Sequence, residues 1–449
     1  MTKQQLLQQI KKAGVVGAGG AGFPTYKKLD ASVDHIIVNG AECEPLLYKD
    51  RETMIQGVDG ILRGLEIMQQ LTDATQVTIA VKQKNEDVLE NFRDVATQRG
   101  YNFYVYEDVY PAGDEYVLVY EITGRRMPPG GIPLQVDCVV DNTETIINIA
   151  NAVDKGPTTE KYITITGAVQ SPITTIVPVG TTFKDCIELA GGLTTNNPVV
   201  LTGGVMMGGV ETDLSAPVSK TNGGLIVLPA DHYLVRRKTE PRETYTRVGH
   251  GQCDQCSLCT ELCPRYLLGY PIEPHKVMRT LQMTGESKER VSMWAEHCCE
   301  CNICSLIACP ESLDPKNIIV DAKKLLREAN RSFTEQELQS LFRDVHPARK
   351  GREVPISTVY QRLGLVPYSR STPFINSDFK PHEVIIPLDS HIGQPAQPSV
   401  KVGERVQKGD MIASVPDDQL GVPAHASIDG RIMMIEARGI HISNNNDEG

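Results

Sequence analysis

Cys253, Cys256, Cys259 and Cys263, the last followed by Pro264, place four sulfur ligands at gaps of two, two and three residues. Thiolates at that spacing wrap a 4Fe-4S cluster. Cys298, Cys301, Cys304 and Cys309, followed by Pro310, repeat the run with one extra residue in the last gap. Two clusters and one-electron chemistry are implied. Zinc is the competing reading, because four-cysteine sites assembled from Cys-x2-Cys pairs are common in zinc proteins. Two separated pairs suit zinc, whereas three tightly spaced cysteines ahead of a Cys-Pro, occurring twice, suit iron and sulfide. Only Cys298 preserves both two-residue gaps, which makes its neighbour Cys299 spare. Cys43, Cys138 and Cys186 lie outside the arrays and read as small buried side chains. His250 and His297 flank the arrays and read as loop histidines.

A second candidate site is glycine-rich. Gly17-Ala18-Gly19-Gly20-Ala21-Gly22 contains the pattern G-x-G-x-x-G. In a Rossmann fold that pattern follows a strand. Here a short amphipathic helix built on Leu6, Leu7 and Ile10 precedes it and Pro24 follows, so the context test fails and a tight structural turn stays open. The missing Cβ atoms still let backbone N–H groups approach a phosphate or a flat ring closely, with Lys27 and Lys28 supplying positive charge.

These residues need elements to hold them. Strand-like runs at Asp34–Val38 and Val77–Val81, a charged helical segment from about Glu86 to Arg99 and a strand at Phe103–Tyr106 predict an α/β unit. From Tyr162 to about Leu228, short β-branched runs around a helix near Phe183–Ala190 predict a small β-rich domain. One amphipathic helix is expected from Pro315 to about Arg343, and a compact all-β module from Val384 to Ile442. The tail Ser443–Gly449 has nothing to bury and is expected to be mobile.

Composition bounds the partners. The 449 residues correspond to about three domains at roughly 150 residues each. With 45 basic against 56 acidic residues, a net charge of −11, the chain has no excess of cations to displace phosphate counterions, and nucleic acid is excluded as a partner. No apolar run approaches the roughly 20 residues that cross a bilayer, and Met1–Ala13 is too rich in Gln and Lys for a signal peptide. A soluble, intracellular protein is expected. Nine of the twelve cysteines fall between Cys253 and Cys309, a crowding that suits metal ligation better than disulfides.

Gly17–Lys28, joined to Asn39–Pro45 (NGAECEP) and Lys49–Arg51, resembles the family of the complex I flavoprotein subunit and the Rnf C subunit. The resemblance implies an FMN site fed by hydride from NADH. At matching positions Gly17, Gly19, Gly20 and Lys28 would contact the FMN phosphate and ribityl chain, with Asn39 near the flavin. Phe23, Glu42 and Glu44 fall where the family approaches the nicotinamide nucleotide. Gly113, Asp114 and Glu115, within Pro111–Glu115, resemble a second loop over the flavin, and Asn142 to Thr145 a third. Ala18 stands where complex I carries a basic residue, and Asp114 where it carries a glutamate. In two-cluster ferredoxins the fourth cysteine of each run ligates the other cluster. That likeness pairs Cys253, Cys256 and Cys259 with Cys309, and Cys298, Cys301 and Cys304 with Cys263.

Extended along the chain, the resemblance implies a multidomain α/β and α+β architecture. A Rossmann-type FMN and NADH domain would span 1–155, a soluble-ligand-binding β-grasp (SLBB) domain 156–240, a helical two-cluster ferredoxin-like domain 241–366 and an all-β barrel-sandwich hybrid 380–443. No lysine stands between Lys408 and Arg431, so the hybrid module carries no swinging cofactor. With that module last, the domain order is similar to that of the cobalamin reductases of propanediol-utilisation bacterial microcompartments. This likeness implies electron flow from NADH through FMN and two 4Fe-4S clusters to corrinoid cobalt, with cobalamin as substrate. It also implies a corrinoid adenosyltransferase and microcompartment shell proteins as partners, a cytoplasmic location inside a microcompartment, and no membrane span. An NADH dehydrogenase subunit feeding a membrane ion-pumping complex, like the Rnf C subunit, shares every motif and stays open.

Overall fold

A computed structural model describes residues 1–86 and 89–444. In the N-terminal unit, strands β1 (His35–Gly40), β2 (Gln76–Lys82), β3 (Asn102–Tyr106) and β4 (Cys138–Asn142) form one parallel sheet in the order β3-β2-β1-β4. Parallel strands read as continuous apolar runs because both faces are covered, and β1 is buried almost throughout. Ile36, Val38, Ile79 and Val139 face the helices Lys3–Lys12, Val58–Thr72 and Thr143–Asp154. Ile37, Ala80 and Val140 face the helix Glu115–Thr123 together with Leu268, Tyr270 and Ile272 of the cysteine-bearing segment. The alternation of strand side chains thus seats the cluster region on one face of the sheet. The expected charged helix is observed over Glu90–Gln98, while residues 87 and 88 of that stretch lie outside the described residues.

The chain runs from β1 out to β3 and then returns to the other side of β1 to make β4. The strand order therefore reverses between β1 and β4, and a crevice opens beyond the carboxyl ends of those strands, where α/β sheets bind ligands. Asn39 and Asn142 are register partners at that point.

The β-rich unit has five strands in the order Ile173–Pro178, Glu160–Gly167, Gly224–Pro229, Pro198–Thr202, Gly209–Glu211, with the helix Phe183–Leu189 buried on Ile163, Ile165 and Leu225. The cysteine-bearing unit is helical, and its Val354–Pro355 pairs antiparallel with Val109–Tyr110 of the first unit. The single helix expected over Pro315–Arg343 is two, Pro315–Glu328 and Glu335–Leu341. Asn330 adopts φ +49°, which ends the first, and Thr334 with Glu337 forms a capping box that starts the second. The last unit packs two small antiparallel sheets over Val384, Ile412, Ile432 and Ile440. Of the expected mobile tail, Ser443 ends the final strand and the Asn444 N–H donates to the His382 carbonyl at 3.0 Å; residues 445–449 lie outside the described residues.

This last module closes on the first. The Ile392 N–H donates to the Gly22 carbonyl at 3.0 Å, and Lys11 pairs with Asp417 at 2.8 Å. Among the described residues no helix is long and apolar enough to cross a membrane.

Candidate functional site

The glycine-rich loop reaches the crevice although it follows a helix. An antiparallel bridge between Val16 and Pro24 pinches the loop shut, and the Gly17 N–H donates to the Phe23 carbonyl at 3.0 Å. The Ala18 N–H donates to Thr145 Oγ1 at 2.9 Å, so the first loop is tied to the third. A Cβ on Gly19 would stand 3.3 Å from that of Asn142, whereas Gly20, at φ +126°, has nothing within 4 Å of a Cβ position. Asn142 caps the helix Thr143–Asp154 by accepting from the Glu144 N–H at 3.1 Å. A helix N-terminus and an open glycine backbone thus face one crevice, an arrangement that favours phosphate.

Lys28 donates to the Val140 carbonyl at 2.8 Å and to Asp141 at 3.1 Å, with Glu115 3.9 Å away. Burial works to lower its pKa, but Asp141 and Glu115 together hold it above the ordinary lysine value. Asp141 Oδ2 is buried and has no partner. An acceptor left bare at a strand end is what a sugar-like hydroxyl would satisfy, so the crevice fits the phosphate and ribityl chain of a flavin nucleotide. Replacing Gly19 with Leu should fill this space against Asn142. Flavin released on denaturation should fall to near zero while iron content holds; full flavin retention would show the crevice to be misassigned.

Asn39 Nδ2 donates to the Gly113 carbonyl at 3.1 Å, which places the second loop over β1. Beneath the crevice lies a buried charge network that the sequence reading missed. Lys49 contacts Asp50 at 2.6 Å, Glu144 at 3.1 Å and Asn142 Oδ1 at 3.1 Å, and Lys161 of the β-rich unit contacts Glu144. Glu42 accepts from the Asp50 N–H at 3.0 Å; burial first and the Asp50 carboxylate second push its pKa up from 4.5 to about 8. An acid whose folded value is raised favours folding fully below the unfolded value, and that contribution is gone above the folded one. Melting temperature should therefore decline between pH 5 and pH 8, and Glu42→Gln should flatten the decline; identical profiles would contradict the assignment. Glu44 is committed elsewhere, since its carboxylate accepts from the Met206 and Met207 N–H groups, both at 2.8 Å.

The eight cysteines surround two hollows. One is ringed by Cys253, Cys256, Cys259 and Cys309, the other by Cys263, Cys298, Cys301 and Cys304, with Cys299 also on its wall. The fourth cysteine of each run therefore faces the three leading cysteines of the other. Among the described residues no group of three or more His, Cys, Asp or Glu closes on a single metal-ion position. The two runs share a backbone pattern: Gln255 and Ser257 flank Cys256 with φ +57° and +68°, and Glu300 and Asn302 flank Cys301 with +60° and +67°. That match sets Cys298, not Cys299, in register with Cys253. The extra residue of the second run is absorbed by a π-helical turn, Cys304–Ala308, where the first has an α-turn, Leu258–Glu261. Backbone N–H groups of Glu300 and Leu313 point at Cys298 and Cys309 sulfurs at 3.3 Å each, contacts of the kind that tune cluster potentials. Four thiols around each hollow form a donor set that fits a 4Fe-4S cluster.

The hollow of Cys263, Cys298, Cys301 and Cys304 abuts the first unit. Arg265, on its wall, holds Asp114 at 2.8 Å, lies 4.0 Å over the Tyr116 ring and donates to the His297 carbonyl at 2.9 Å. Tyr110, buried to 2% exposure, donates through its hydroxyl to the Cys301 carbonyl at 2.8 Å. Sequence reading gave Arg265 and Tyr110 no role. Arg265 sits two residues after Cys263 and Tyr110 next to the Pro111 loop, so nearness to a motif was the available signal. In the other hollow Cys256 is exposed.

The chain matches four domain families: the Nuo51 FMN-binding domain over residues 10–151, the SLBB domain over 162–209, the 4Fe-4S dicluster domain over 252–314 and the RnfC barrel sandwich hybrid domain over 368–447. It is 38% identical to the cobalamin reductase PduS of Salmonella typhimurium, across 98% of this chain and 97% of that protein. The chain belongs to the PduS cobalamin reductase family. PduS of Citrobacter freundii is likewise 38% identical over 98% of this chain and 96% of its own. The Rnf-type C subunit of the proton-translocating ferredoxin:NAD(+) oxidoreductase complex of Clostridium ljungdahlii is 32% identical over 60% of this chain and 57% of its own length. The PduS likeness thus runs through all four units, and the likeness to the oxidoreductase complex through a little over half the chain.

Proposed function

We propose that this protein is an NADH-dependent cobalamin reductase that holds FMN and two 4Fe-4S clusters. The observation that carries the reading is the contact between the two kinds of site. A crevice suited to a flavin nucleotide and a four-cysteine hollow share one wall, pinned by Asp114–Arg265 and by Tyr110 on the Cys301 backbone. FMN when bound takes a hydride as an electron pair and releases electrons singly, and 4Fe-4S clusters carry them singly, which suits the one-electron chemistry of cobalt.

The chain's own residues have distinct tasks in this reading. Gly17, Gly19 and Gly20, with the helix that Asn142 begins, bind the flavin phosphate, and Asp141 receives a ribityl hydroxyl. Lys28 keeps its proton and neutralises Asp141. Asn39, Gly113 and Thr145 lock the three loops around the ring, while Phe23, Glu42 and Glu44 border the approach of the nicotinamide. Glu115 completes the carboxylate pair facing Lys28. Cys253, Cys256, Cys259 and Cys309 hold one cluster, and Cys298, Cys301, Cys304 and Cys263 the other. The domains divide at about residues 155, 240 and 380. A corrinoid adenosyltransferase would use the reduced cobalt, in the cytoplasm within a microcompartment whose shell proteins are further partners.

The test is anaerobic. Protein reconstituted with iron, sulfide and FMN should bleach on addition of NADH and then reduce aquacobalamin. Bleaching without corrinoid reduction would redirect the electrons to another acceptor, such as a membrane complex of the ion-translocating kind. Absence of bleaching would remove the reading altogether.

A further inference from the structure

A cleft of about 380 Å3 opens on the cysteine-bearing unit, away from both hollows. Lys323, Arg327 and Arg331 line it with Glu296, Asn330 and Ser332. Three cations stand against one carboxylate, in a chain of net charge −11. A concave positive site on an acidic protein focuses its field on small anions, and the volume lies in the range of small-molecule sites. Lys323 pairs with Glu300 at 2.7 Å, and Arg331 pairs with Glu286 and Glu289 at 3.4 and 3.3 Å. Arg327 has no ion pair or side-chain hydrogen bond among the described residues.

The position matters as much as the charge. Lys323 Nζ also donates to the Cys298 carbonyl at 3.1 Å, so the cleft's inner wall is continuous with the backbone of a cysteine that rings the second hollow. Glu296, on the opposite wall, is fixed by accepting from the Phe333 N–H at 3.0 Å. Whatever occupies the cleft is held beside the one-electron end of the molecule.

We propose that this cleft binds a phosphodiester anion of the kind that a corrinoid acceptor carries in its nucleotide tail, an inference that rests on the reductase reading above. Arg327 supplies the unpaired cation, Lys323 and Arg331 reinforce it, and Asn330 and Ser332 offer hydrogen bonds to the remaining polar groups. A cleft of this volume admits the tail and leaves the corrin ring outside.

Calorimetry on the reconstituted holoprotein tests it with two probes, aquacobalamin and cobinamide, which lacks the phosphodiester. Aquacobalamin should bind more tightly than cobinamide. Arg327→Glu breaks no ion pair and should weaken aquacobalamin by about tenfold or more while leaving cobinamide nearly unchanged. NADH-driven ferricyanide reduction should be unaffected, which shows that the variant is folded and loaded. Equal affinity for the two corrinoids, or an Arg327→Glu protein with unchanged aquacobalamin affinity, overturns the proposal. A loss confined to a protein acceptor would assign the cleft to an acidic protein surface and overturn it too. If wild type reduces aquacobalamin with a KM that Arg327→Glu does not move, the cleft falls and the reductase reading stands; if wild type reduces no corrinoid, that reading itself falls.

Discussion

Replacing Cys256 and Cys309 together should remove no more iron than replacing either one alone, whereas replacing Cys256 and Cys263 together should strip the protein of nearly all of it. The contrast follows from the way the fourth cysteines cross between the runs. Cys309 shares a hollow with Cys253, Cys256 and Cys259, and Cys263 shares one with Cys298, Cys301 and Cys304. If each run instead held its own cluster, Cys256 and Cys309 would belong to different clusters and the first double variant would be the empty one. Single alanine variants should each lose roughly half of the iron and sulfide. Flavin content should hold in all of them, because none of these thiols approaches the glycine loop. Iron and sulfide analysis with low-temperature electron paramagnetic resonance distinguishes the two pairings. The measurement also separates iron–sulfur from zinc, since a zinc protein would bind no sulfide.

The cluster ligands were legible because ligation imposes chemistry on spacing: thiolates must converge locally, and the chain shows that convergence as two-residue gaps. Even the extra residue before Cys309 was visible, although the π-helical turn Cys304–Ala308 that absorbs it was not. The glycine loop was read correctly as a close-approach backbone and wrongly tested by chain order. The requirement is spatial, and Val16–Pro24 pairing with the Ala18–Thr145 contact delivers the loop to the β1/β4 crevice from an unexpected direction. The helix expected to run to Arg343 shows how apolar periodicity survives across a break that Asn330 and Thr334 impose through caps. Least legible were the ion pairs that join units. Asp114 and Arg265 are 151 residues apart, and Glu144 and Lys161 meet only after two domains have folded and docked. No local pattern encodes such a pair, because each partner alone reads as an ordinary surface charge.

Arg265→Gln should leave flavin and iron in place yet slow NADH-driven bleaching of the iron–sulfur absorbance by about ten- to a hundredfold, the scale on which misplacement by about 1 Å acts. Arg265 does three things at one wall: it pairs with Asp114 through two nitrogens at 2.8 and 3.2 Å, covers the Tyr116 ring and donates to the His297 carbonyl. Asp114 also caps the helix Glu115–Thr123 by accepting from the Tyr116 and Val117 N–H groups. The same carboxylate thus fixes the second loop over the crevice and the wall of the nearer hollow. Its side chain is only 8% exposed, so removal of the guanidinium strands a buried charge at a cost of about 3–5 kcal/mol. Asp114→Asn preserves the cap, since Asn caps as well as Asp, but breaks the ion pair from the other side and should slow bleaching comparably. The double variant should recover part of the lost stability, because neither charge is then left alone. Arg265→Lys keeps the charge without the planar fork and should fall between wild type and Arg265→Gln. Bleaching at the wild-type rate in both Arg265→Gln and Asp114→Asn would show that the contact only holds domains together, and that the two sites are aligned by the Tyr110–Cys301 bond and the apolar face around Tyr270 instead.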